Sequence, residues 1–428
     1  MTMISRRSAL LGAAGLATLG LSACGRGNDT GSQPTGPGSA VSEGKATGEV
    51  TVWAMGAEGE KLGDLVEKFT AANPEVKVTV TAVPWDAAHD KFTSAIAAGT
   101  TPDAAMVGTT WMGEFVDLDA LDPTPADLID KTVFFPGAWQ TTEVKGTSYA
   151  VPWYVETRLL FVRTDLASKA GFTEAKDWDQ LSALAKAMQQ KAGAKWGISL
   201  QPGQEGSWQQ VMPFAWSNGA TITDEAVTAF TFDSPEMSEA WAYYQSFFTD
   251  GVADKAPAVQ STADADFANG SVPMFFSGPW MMSAVEKVGG SGFADKYDVW
   301  PMPTRKTATS FVGGSNFGVF KAAKNRDAAW KLVQFLVDPA TQVEWYGMSS
   351  DLPAVTASWQ DPKLTADKRV AAFGQQLEAA LAPPAISTWD QVSAKFDSLV
   401  EKVCKSGLAP AEAVKTLQQE ATSIGMGQ

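Results

Sequence analysis

Between residues 49 and 107 the chain alternates strand-like and helix-like hydrophobic patterns. Apolar side chains recur every second residue in the strand-like runs and every third or fourth residue in the helix-like runs. The pair Asn73 and Pro74 ends the first helix-like run, because proline disfavours a helical conformation in the residue before it. The order is strand, helix, strand, helix, strand, at residues 49–53, 62–69, 76–80, 92–96 and 104–107. This order predicts an α/β lobe with a mostly parallel sheet, in which a ligand binds at the carboxyl ends of the strands.

The same patterns return further along the chain. Residues 159–162 form a continuous apolar run typical of a buried strand. Asp177 is followed three residues later by Gln180, which is the spacing of a capping box and predicts the start of a helix. Residues 48–428 are more than one compact core normally supports, so we expect two lobes.

The N-terminus has the layout of an export signal. Arg6 and Arg7 precede an apolar run over residues 9–23, which is too short to span a membrane as a helix. The run therefore predicts a signal peptide at residues 1–23 that is removed from the mature protein. The arginine pair fits twin-arginine export, although Ala9 stands where such signals usually carry a bulky apolar side chain, and general secretion is the alternative route.

Cys24 ends this run in the sequence Leu-Ser-Ala-Cys-Gly, which resembles the lipobox of bacterial lipoproteins, whose cysteine becomes the acylated N-terminus. The residues that follow it are rich in Gly, Ser, Thr and Pro, and they cannot bury enough apolar surface to offset the entropy of ordering. We therefore expect a lipidated cysteine and a flexible tether over residues 24–47. A disulfide between Cys24 and Cys404, the only two cysteines, is the alternative.

Charge and composition exclude several classes of function. A formal net charge of −15 disfavours a nucleic acid or another phosphate-rich partner. His89 is the only histidine and the two cysteines belong to unrelated segments, so the sequence offers no plausible zinc site and no Ser-His-Asp or Cys-His pair. The sequence therefore predicts no metal and no cofactor.

Tryptophan is the distinctive residue of this sequence, with sixteen copies. Trp241 and Trp330 fall on apolar helix stripes, where packing in the core explains them. Others follow strands or begin helices, where a crevice would be lined, although core packing is an equal alternative for each one. An indole offers an apolar platform to a pyranose ring, whose hydroxyl groups bind nearby carboxylates and amides. These candidates are Trp111, Trp153, Trp208, Trp280 and Trp389.

Five segments, taken in order, resemble extracellular solute-binding proteins of the maltose-binding type. Residues 151–161 resemble the strand that crosses from one lobe to the other in that family. Residues 267–280 resemble its signature of a glycine, an apolar strand and Gly-Pro-Trp. The remaining matches are at residues 99–104, 311–316 and 328–347. The similarity covers essentially all of residues 48–426.

The resemblance implies an α/β, two-lobed, type II periplasmic-binding-protein fold in which each lobe is a mixed sheet flanked by helices. The N-terminal lobe would comprise residues 48–155 and 312–358, and the C-terminal lobe residues 156–311 and 359–428. The ligand would lie in the cleft between them. The glycine pair Gly313 and Gly314 lacks the ending of a phosphate loop, so it indicates a close backbone approach near the hinge.

The same resemblance implies a set of sugar-binding residues, and it places Trp208 in a loop that follows a strand over residues 196–200. Tyr154 and Asn316 are added to this set because they stand beside matched motifs. A solvated surface charge is the alternative for each carboxylate. The expected ligand-binding residues are Glu58, Trp111, Tyr154, Glu156, Trp208, Trp280, Asn316 and Trp389.

In function, the resemblance implies the substrate-binding component of an ABC sugar importer, and not an enzyme. We expect a monomer, lipid-anchored at the outer face of the cytoplasmic membrane, which captures a disaccharide or short oligosaccharide by hinge closure and delivers it to the permease. Overall likeness favours an α-glucoside such as maltose or trehalose. A surface lipoprotein that senses sugar or adheres to polysaccharide is the main alternative, and a glycoside hydrolase is a weaker one, since the sequence ties no pair of carboxylates together.

Overall fold

The computed structural model describes residues 38–204, 206–257 and 263–427. The predicted signal peptide, Cys24 and the tether up to residue 37 lie outside the described residues. In the part of the chain that is described, no helix is both long enough and apolar enough to cross a membrane.

The strands divide between one large sheet, one small sheet and a short hairpin. They are β1 (Gly48–Met55), β2 (Val76–Val83), β3 (Ala104–Gly108), β4 (Glu143–Val144), β5 (Thr147–Ser148), β6 (Val151–Thr157), β7 (Leu159–Arg163), β8 (Met274–Ser277), β9 (Tyr297–Trp300), β10 (Ser310–Val319), β11 (Leu352–Pro353) and β12 (Ala380–Leu381).

Helices flank both sheets and supply most of the connections. They are α1 (Gly56–Ala72), α2 (Trp85–Ala98), α3 (Met112–Asp117), α4 (Pro136–Gln140), α5 (Thr164–Ala170), α6 (Trp178–Ala192), α7 (Trp208–Ser217), α8 (Pro235–Thr249), α9 (Ala263–Asn269), α10 (Trp280–Gly289), α11 (Arg326–Leu336), α12 (Pro339–Ser349), α13 (Pro362–Thr365), α14 (Lys368–Leu377), α15 (Trp389–Glu401) and α16 (Pro410–Ile424). The Asp177 side chain accepts a 2.8 Å hydrogen bond from the Gln180 amide, which confirms the predicted start of α6.

The large sheet has the strand order β11-β6-β10-β3-β1-β2, and β12 pairs beside β10. As the alternating pattern predicts, β1 pairs in parallel with both β2 and β3. The later strand β10 returns antiparallel between β3 and β6, so the sheet is mixed. The α/β fold expected from the sequence is thereby confirmed.

The small sheet has the order β8-β7-β9, with both pairs antiparallel. A single parallel bridge joins Ser199 to Phe275 and extends this sheet. The strand that the sequence suggests over residues 196–200 reduces to this bridge, because the Gly197 amide bonds instead to the carbonyl of Val252 in a loop.

The chain passes between the two sheets where β6 leads into β7 and again where β9 leads into β10. These crossings are tied together, because Thr157 Oγ1 donates to the Phe311 carbonyl at 2.7 Å and Ser310 Oγ donates to the Arg158 carbonyl at 2.8 Å. Gly314 has a φ of +125°, and a Cβ there would lie 2.2 Å from the Tyr154 carbonyl oxygen. The close backbone approach predicted at the glycine pair is therefore confirmed.

Buried apolar side chains form two clusters. One surrounds the large sheet and reaches one face of β7 through Phe161, whereas the other contains the opposite face through Leu160 together with α6, α7, α8, α15 and α16. Trp330 lies in the first cluster and Trp241 in the second, and both are buried as predicted. Trp153 is also fully buried and stacks on Trp345 with ring centroids 4.7 Å apart, so core packing accounts for it. The exact bounds of the two lobes stay a prediction.

Residues 38–47, the last part of the predicted tether, lie against the folded body. The Ala46 amide donates to Asn73 at 2.9 Å, and the Ser42 amide donates to Asp327 at 2.9 Å. The Arg326 guanidinium donates to the Ser39 carbonyl at 2.8 Å. We call residues 38–47 the strap. Side chains distant in sequence thus hold the strap, although its own composition predicts a flexible tether, and the end of that tether stays a prediction.

Candidate functional site

Two adjoining cavities lie near the crossing between β6 and β7. The inner cavity has a volume of about 260 Å³, and the outer cavity has a volume of about 640 Å³. Gln204 lines both. The lining of the inner cavity includes Arg158, Gln201, Gln210, Ser277 and Trp280. The lining of the outer cavity includes Trp111, Trp208, Gln209 and Trp389.

Trp111 reaches the outer cavity from the carboxyl end of β3, as expected for a ligand site in a parallel sheet. It lies in an aromatic group, with its ring centroid 5.9 Å from Trp85 and 5.4 Å from His89. His89 Nε2 lies 2.7 Å from a carboxylate oxygen of Glu114, which fixes this side of the group. The only histidine of the chain thus supports an aromatic wall.

Trp85 belongs to this wall although the sequence analysis did not select it. Its side chain is 41% exposed, which is unusual for so large an apolar group. It follows β2 directly, so its place at the carboxyl end of a parallel strand was the signal that could have found it. A Cβ at Gly56 would lie 2.6 Å from its ring, so the indole lies across the start of α1 beside Glu58.

Trp208 and Trp389 come from the other side of the outer cavity. Each is the first residue of its helix, α7 and α15, and their rings are perpendicular with centroids 5.0 Å apart. Both are almost fully buried, so they line the cavity by their edges in this structure. Asp397 holds the start of α7 by accepting hydrogen bonds of 2.8 Å from the Ser207 hydroxyl and from the Trp208 amide. Trp208 therefore begins a helix, where the sequence analysis expected a loop.

Trp280 is the exposed tryptophan of the inner cavity, with 43% of its surface accessible. The Gly-Pro-Trp sequence has a steric cause, because a Cβ at Gly278 would lie 2.0 Å from the Trp280 ring. The ring therefore needs glycine two residues before it. The Arg158 guanidinium carbon lies 4.8 Å from the ring centroid, within the range of a cation–π contact.

Glu156 and Arg158 form an ion pair at the crossing, with Nη2 and Oε1 2.9 Å apart and both side chains less than one-fifth exposed. Burial raises the pKa of Glu156, and the charge of Arg158 partly offsets this rise. Glu156 Oε2 and Arg158 Nε are buried, and neither has a hydrogen-bond partner among the described residues. Unpaired buried polar atoms cost about 1 to 3 kcal/mol each, so this pair is suited to a ligand that supplies a donor and an acceptor.

Glu58 lies in the first turn of α1, where the positive end of the helix dipole favours a carboxylate. It is grouped with Tyr154 and with Asp351, which the sequence analysis did not select. Burial, and then the charge of Glu58, raise the pKa of Asp351 to about 7. Burial and the same two carboxylates hold the pKa of Tyr154 well above its ordinary value, so its hydroxyl stays protonated.

Asn316 lines neither cavity, and the same is true of Glu58, Tyr154 and Glu156. The Asn316 side chain is buried in β10, where Oδ1 accepts a 3.1 Å hydrogen bond from the Thr141 hydroxyl. The structure therefore does not bring Asn316 together with the tryptophans of the cavities, because Thr141 holds its amide in a buried position. The described residues also contain no group of three or more metal-binding side chains.

Comparisons with known proteins identify the family of this chain. The family model for bacterial extracellular solute-binding proteins matches residues 64–372. The structure of the sugar-binding protein MalE from the phytopathogen Xanthomonas citri is 31% identical, covers 88% of this chain and 97% of its own, and superposes with a TM-score of 0.82.

Two relatives extend the comparison. The maltotriose-binding protein of Pyrococcus abyssi is 24% identical over 83% of this chain and 78% of its own length. The galactooligosaccharide-binding protein of Bacillus subtilis is 22% identical over 93% of this chain and 92% of its own. The resemblance predicted from five segments is confirmed, and the chain belongs to the family of bacterial extracellular solute-binding proteins.

Proposed function

We propose that this protein is the sugar-binding component of an ABC importer and that it captures a disaccharide or short oligosaccharide. The observation that carries the proposal is the exposed Trp280 indole beside Glu156 and Arg158, whose buried polar atoms are unpaired. An apolar ring face next to an unpaired acceptor and an unpaired donor is complementary to a pyranose, which has apolar C–H faces and hydroxyl edges. The relatives named for binding maltotriose and galactooligosaccharide support the same proposal.

The proposed ligand-binding residues come from both sides of the crossing, and four of them, Trp111, Trp208, Trp280 and Trp389, line the cavities. Glu58, Trp111 and Tyr154 belong to the side of the large sheet, and we add Trp85 and Asp351 to them. Glu156 lies at the crossing. Trp208, Trp280 and Trp389 approach from the side of the small sheet. Asn316 is left out because Thr141 satisfies its amide.

The proposed mechanism is hinge closure around the sugar. The ligand favours a closed state in which tryptophans of both sides contact it, and the permease recognises that state. The crossings near Thr157 and Ser310 are suited to this motion, since they are the short segments that join the two sheets. No catalytic step is part of the proposal.

An α-glucoside such as maltose or trehalose is the proposed cargo. The P. abyssi relative, named for maltotriose, supports this choice, whereas the B. subtilis relative is named for a galactooligosaccharide, so both sugar types belong in the test. We further propose that Cys24 is lipidated after export and that the protein acts as a monomer at the outer face of the cytoplasmic membrane.

A thermal-unfolding screen tests the function. The protein from residue 38 onward is heated with mono-, di- and trisaccharides, including maltose, trehalose, maltotriose and galactooligosaccharides. A sugar that binds only the folded state at 100 times its Kd stabilises the protein by about 2.7 kcal/mol and raises Tm. We expect one family of disaccharides or oligosaccharides to raise Tm without being cleaved overnight. If no sugar shifts Tm the proposal fails, and cleavage of the sugar would indicate a hydrolase.

A further inference from the structure

Arg158 occupies an unusual position for a charged residue. It is the one residue between β6 and β7, and Ser310 holds its carbonyl at 2.8 Å. Its side chain is only 19% exposed and lines the inner cavity. The guanidinium is therefore fixed by the backbone at the crossing and directed towards the proposed sugar.

A hydrogen bond from Arg158 lies on the boundary between the two cavities. Arg158 Nη2 donates to Gln209 Oε1 at 3.1 Å. Arg158 lines the inner cavity and Gln209, on α7, lines the outer one. Because Gln204 lines both, the cavities adjoin, and the Arg158–Gln209 bond stands between them.

On the side of the inner cavity, Arg158 makes a cation–π contact and an ion pair. There the guanidinium lies 4.8 Å from the Trp280 ring centroid and pairs with Glu156 at 2.9 Å. Towards Gln209 it has one hydrogen bond to a neutral amide. This bond is therefore the part of the boundary that a ligand can replace most easily, since a sugar hydroxyl can take the place of the amide oxygen.

We propose that Arg158 determines the length of the sugar that the protein accepts, an inference that rests on the proposed function. A sugar confined to one cavity leaves the Arg158–Gln209 bond intact. A longer sugar must lie across the boundary and break that bond, and its hydroxyl groups compensate only in part because the Gln209 oxygen loses its charged donor. Arg158 thus favours short ligands over long ones of the same chemistry, which is a neutral chain of pyranose units.

Calorimetric titrations with maltose, maltotriose and maltotetraose, and with cellobiose, cellotriose and cellotetraose, test this proposal. Arg158→Met removes the boundary from one side and Gln209→Leu removes it from the other while leaving the guanidinium in place. We expect each variant to raise the affinity for the tetrasaccharide relative to the disaccharide by about tenfold, the usual worth of a hydrogen bond to a charged group.

Arg305→Met is the matched control, because the Arg305 guanidinium also lies over an indole, 5.6 Å from the Trp178 ring centroid, but lines neither cavity. Its ratio of affinities should equal that of the wild type. If Arg158→Met does not fold, which its Tm reveals, Gln209→Leu decides. An unchanged or lower ratio in a folded variant that binds sugar overturns the role of Arg158 alone. Absence of any sugar binding by the wild type overturns the proposed function, and this inference with it.

Discussion

Glu58, Asp351 and Tyr154 place two carboxylates and a phenol in one partly buried group. Burial, and then the charge of Glu58, disfavour the charged form of Asp351, so Asp351 holds a proton more firmly than an exposed aspartate does. Trp345 Nε1 donates to Asp351 Oδ2 at 3.0 Å and keeps the carboxyl in place. The group therefore offers a sugar a protonated hydroxyl donor and carboxylate acceptors side by side.

Asp351→Asn should make the stability of the protein less dependent on pH. The pKa of Asp351 is about 7 in the folded state, whereas in the unfolded state it returns to the ordinary value of 3.8. Folded stability therefore falls as the pH rises from about 4 to about 7, and the loss is complete above that range. Urea unfolding at pH 5 and pH 8 should show this loss reduced by about 1 to 2 kcal/mol in the variant, less than the full shift because Asp351 is partly exposed.

Glu60→Gln is a suitable control for this experiment, because Glu60 is an exposed carboxylate on the same helix as Glu58. It should keep the pH dependence of the wild type. Equal losses of stability in Asp351→Asn and the wild type would show that Asp351 does not hold the proton.

Which tryptophans face the cavities could be predicted only in part. Their places at strand ends and helix starts identified Trp111, Trp208, Trp280 and Trp389 from sequence alone, and all four line a cavity. Exposure could not be predicted in the same way, because it depends on neighbours that are distant in sequence. Trp208 is buried by Phe311 and Trp389, whereas Trp85 is exposed beside Glu58.

At the scale of elements, the start of α10 determines where the exposed indole lies. Trp280 is the first residue of that helix, and Gly278 leaves the space that its ring fills. The buried strand β8 precedes it and pairs with β7 directly after the crossing. The Gly-Pro-Trp sequence therefore positions the proposed ligand platform next to the crossing, and Gly278 has the steric role in it.

Gly278→Ala should weaken sugar binding without unfolding the protein. The added Cβ would lie 2.0 Å from the Trp280 ring, and the exposed ring can move away from it. We expect a loss of about 1 to 3 kcal/mol in binding free energy, as for removal of an aromatic contact at a binding site. Gly347→Ala is the control, since nothing lies within 4 Å of its Cβ position in α12, and it should leave binding unchanged. Wild-type affinity in Gly278→Ala would contradict the steric argument.

Local elements were predictable where their signals are local. The cap of α6 and the parallel strands β1, β2 and β3 follow from spacing within short segments. The return of β10 between β3 and β6, and the loss of a strand at residues 196–200, depend on partners far along the chain. For these the sequence pattern alone contains no signal.

At the scale of the whole molecule, the strap shows that the folded body begins before β1. Arg326 joins the strap to Asp122, since its Nε lies 2.7 Å from Asp122 Oδ2 and its guanidinium also donates to the Ser39 carbonyl. Trp330 Nε1 donates to the same Asp122 oxygen at 2.7 Å. The strap is thereby connected to the core of the large-sheet side.

A chain that begins at Gly48 should be less stable than one that begins at Gly38. It lacks the hydrogen bonds of the strap, including those to Asn73, Asp327 and Arg326. Loss of such bonds costs about 0.5 to 1.5 kcal/mol each, partly repaid by water and by the entropy of the strap. We expect urea unfolding to show a loss of about 1 to 3 kcal/mol. Equal stability of the two chains would show that the strap contributes nothing.

The most direct test of the proposed function is a calorimetric titration with the sugar that raises Tm most. The sugar is titrated into the wild type, into Trp280→Ala and into Trp53→Ala. Trp53 is half-buried beneath Lys91 and lines neither cavity, so it controls for loss of an indole as such. We predict that the wild type binds one sugar per chain. Trp280→Ala should weaken binding by about 1 to 3 kcal/mol, and Trp53→Ala should retain wild-type affinity. Wild-type affinity in Trp280→Ala, or no heat of binding in the wild type, would contradict the proposed function.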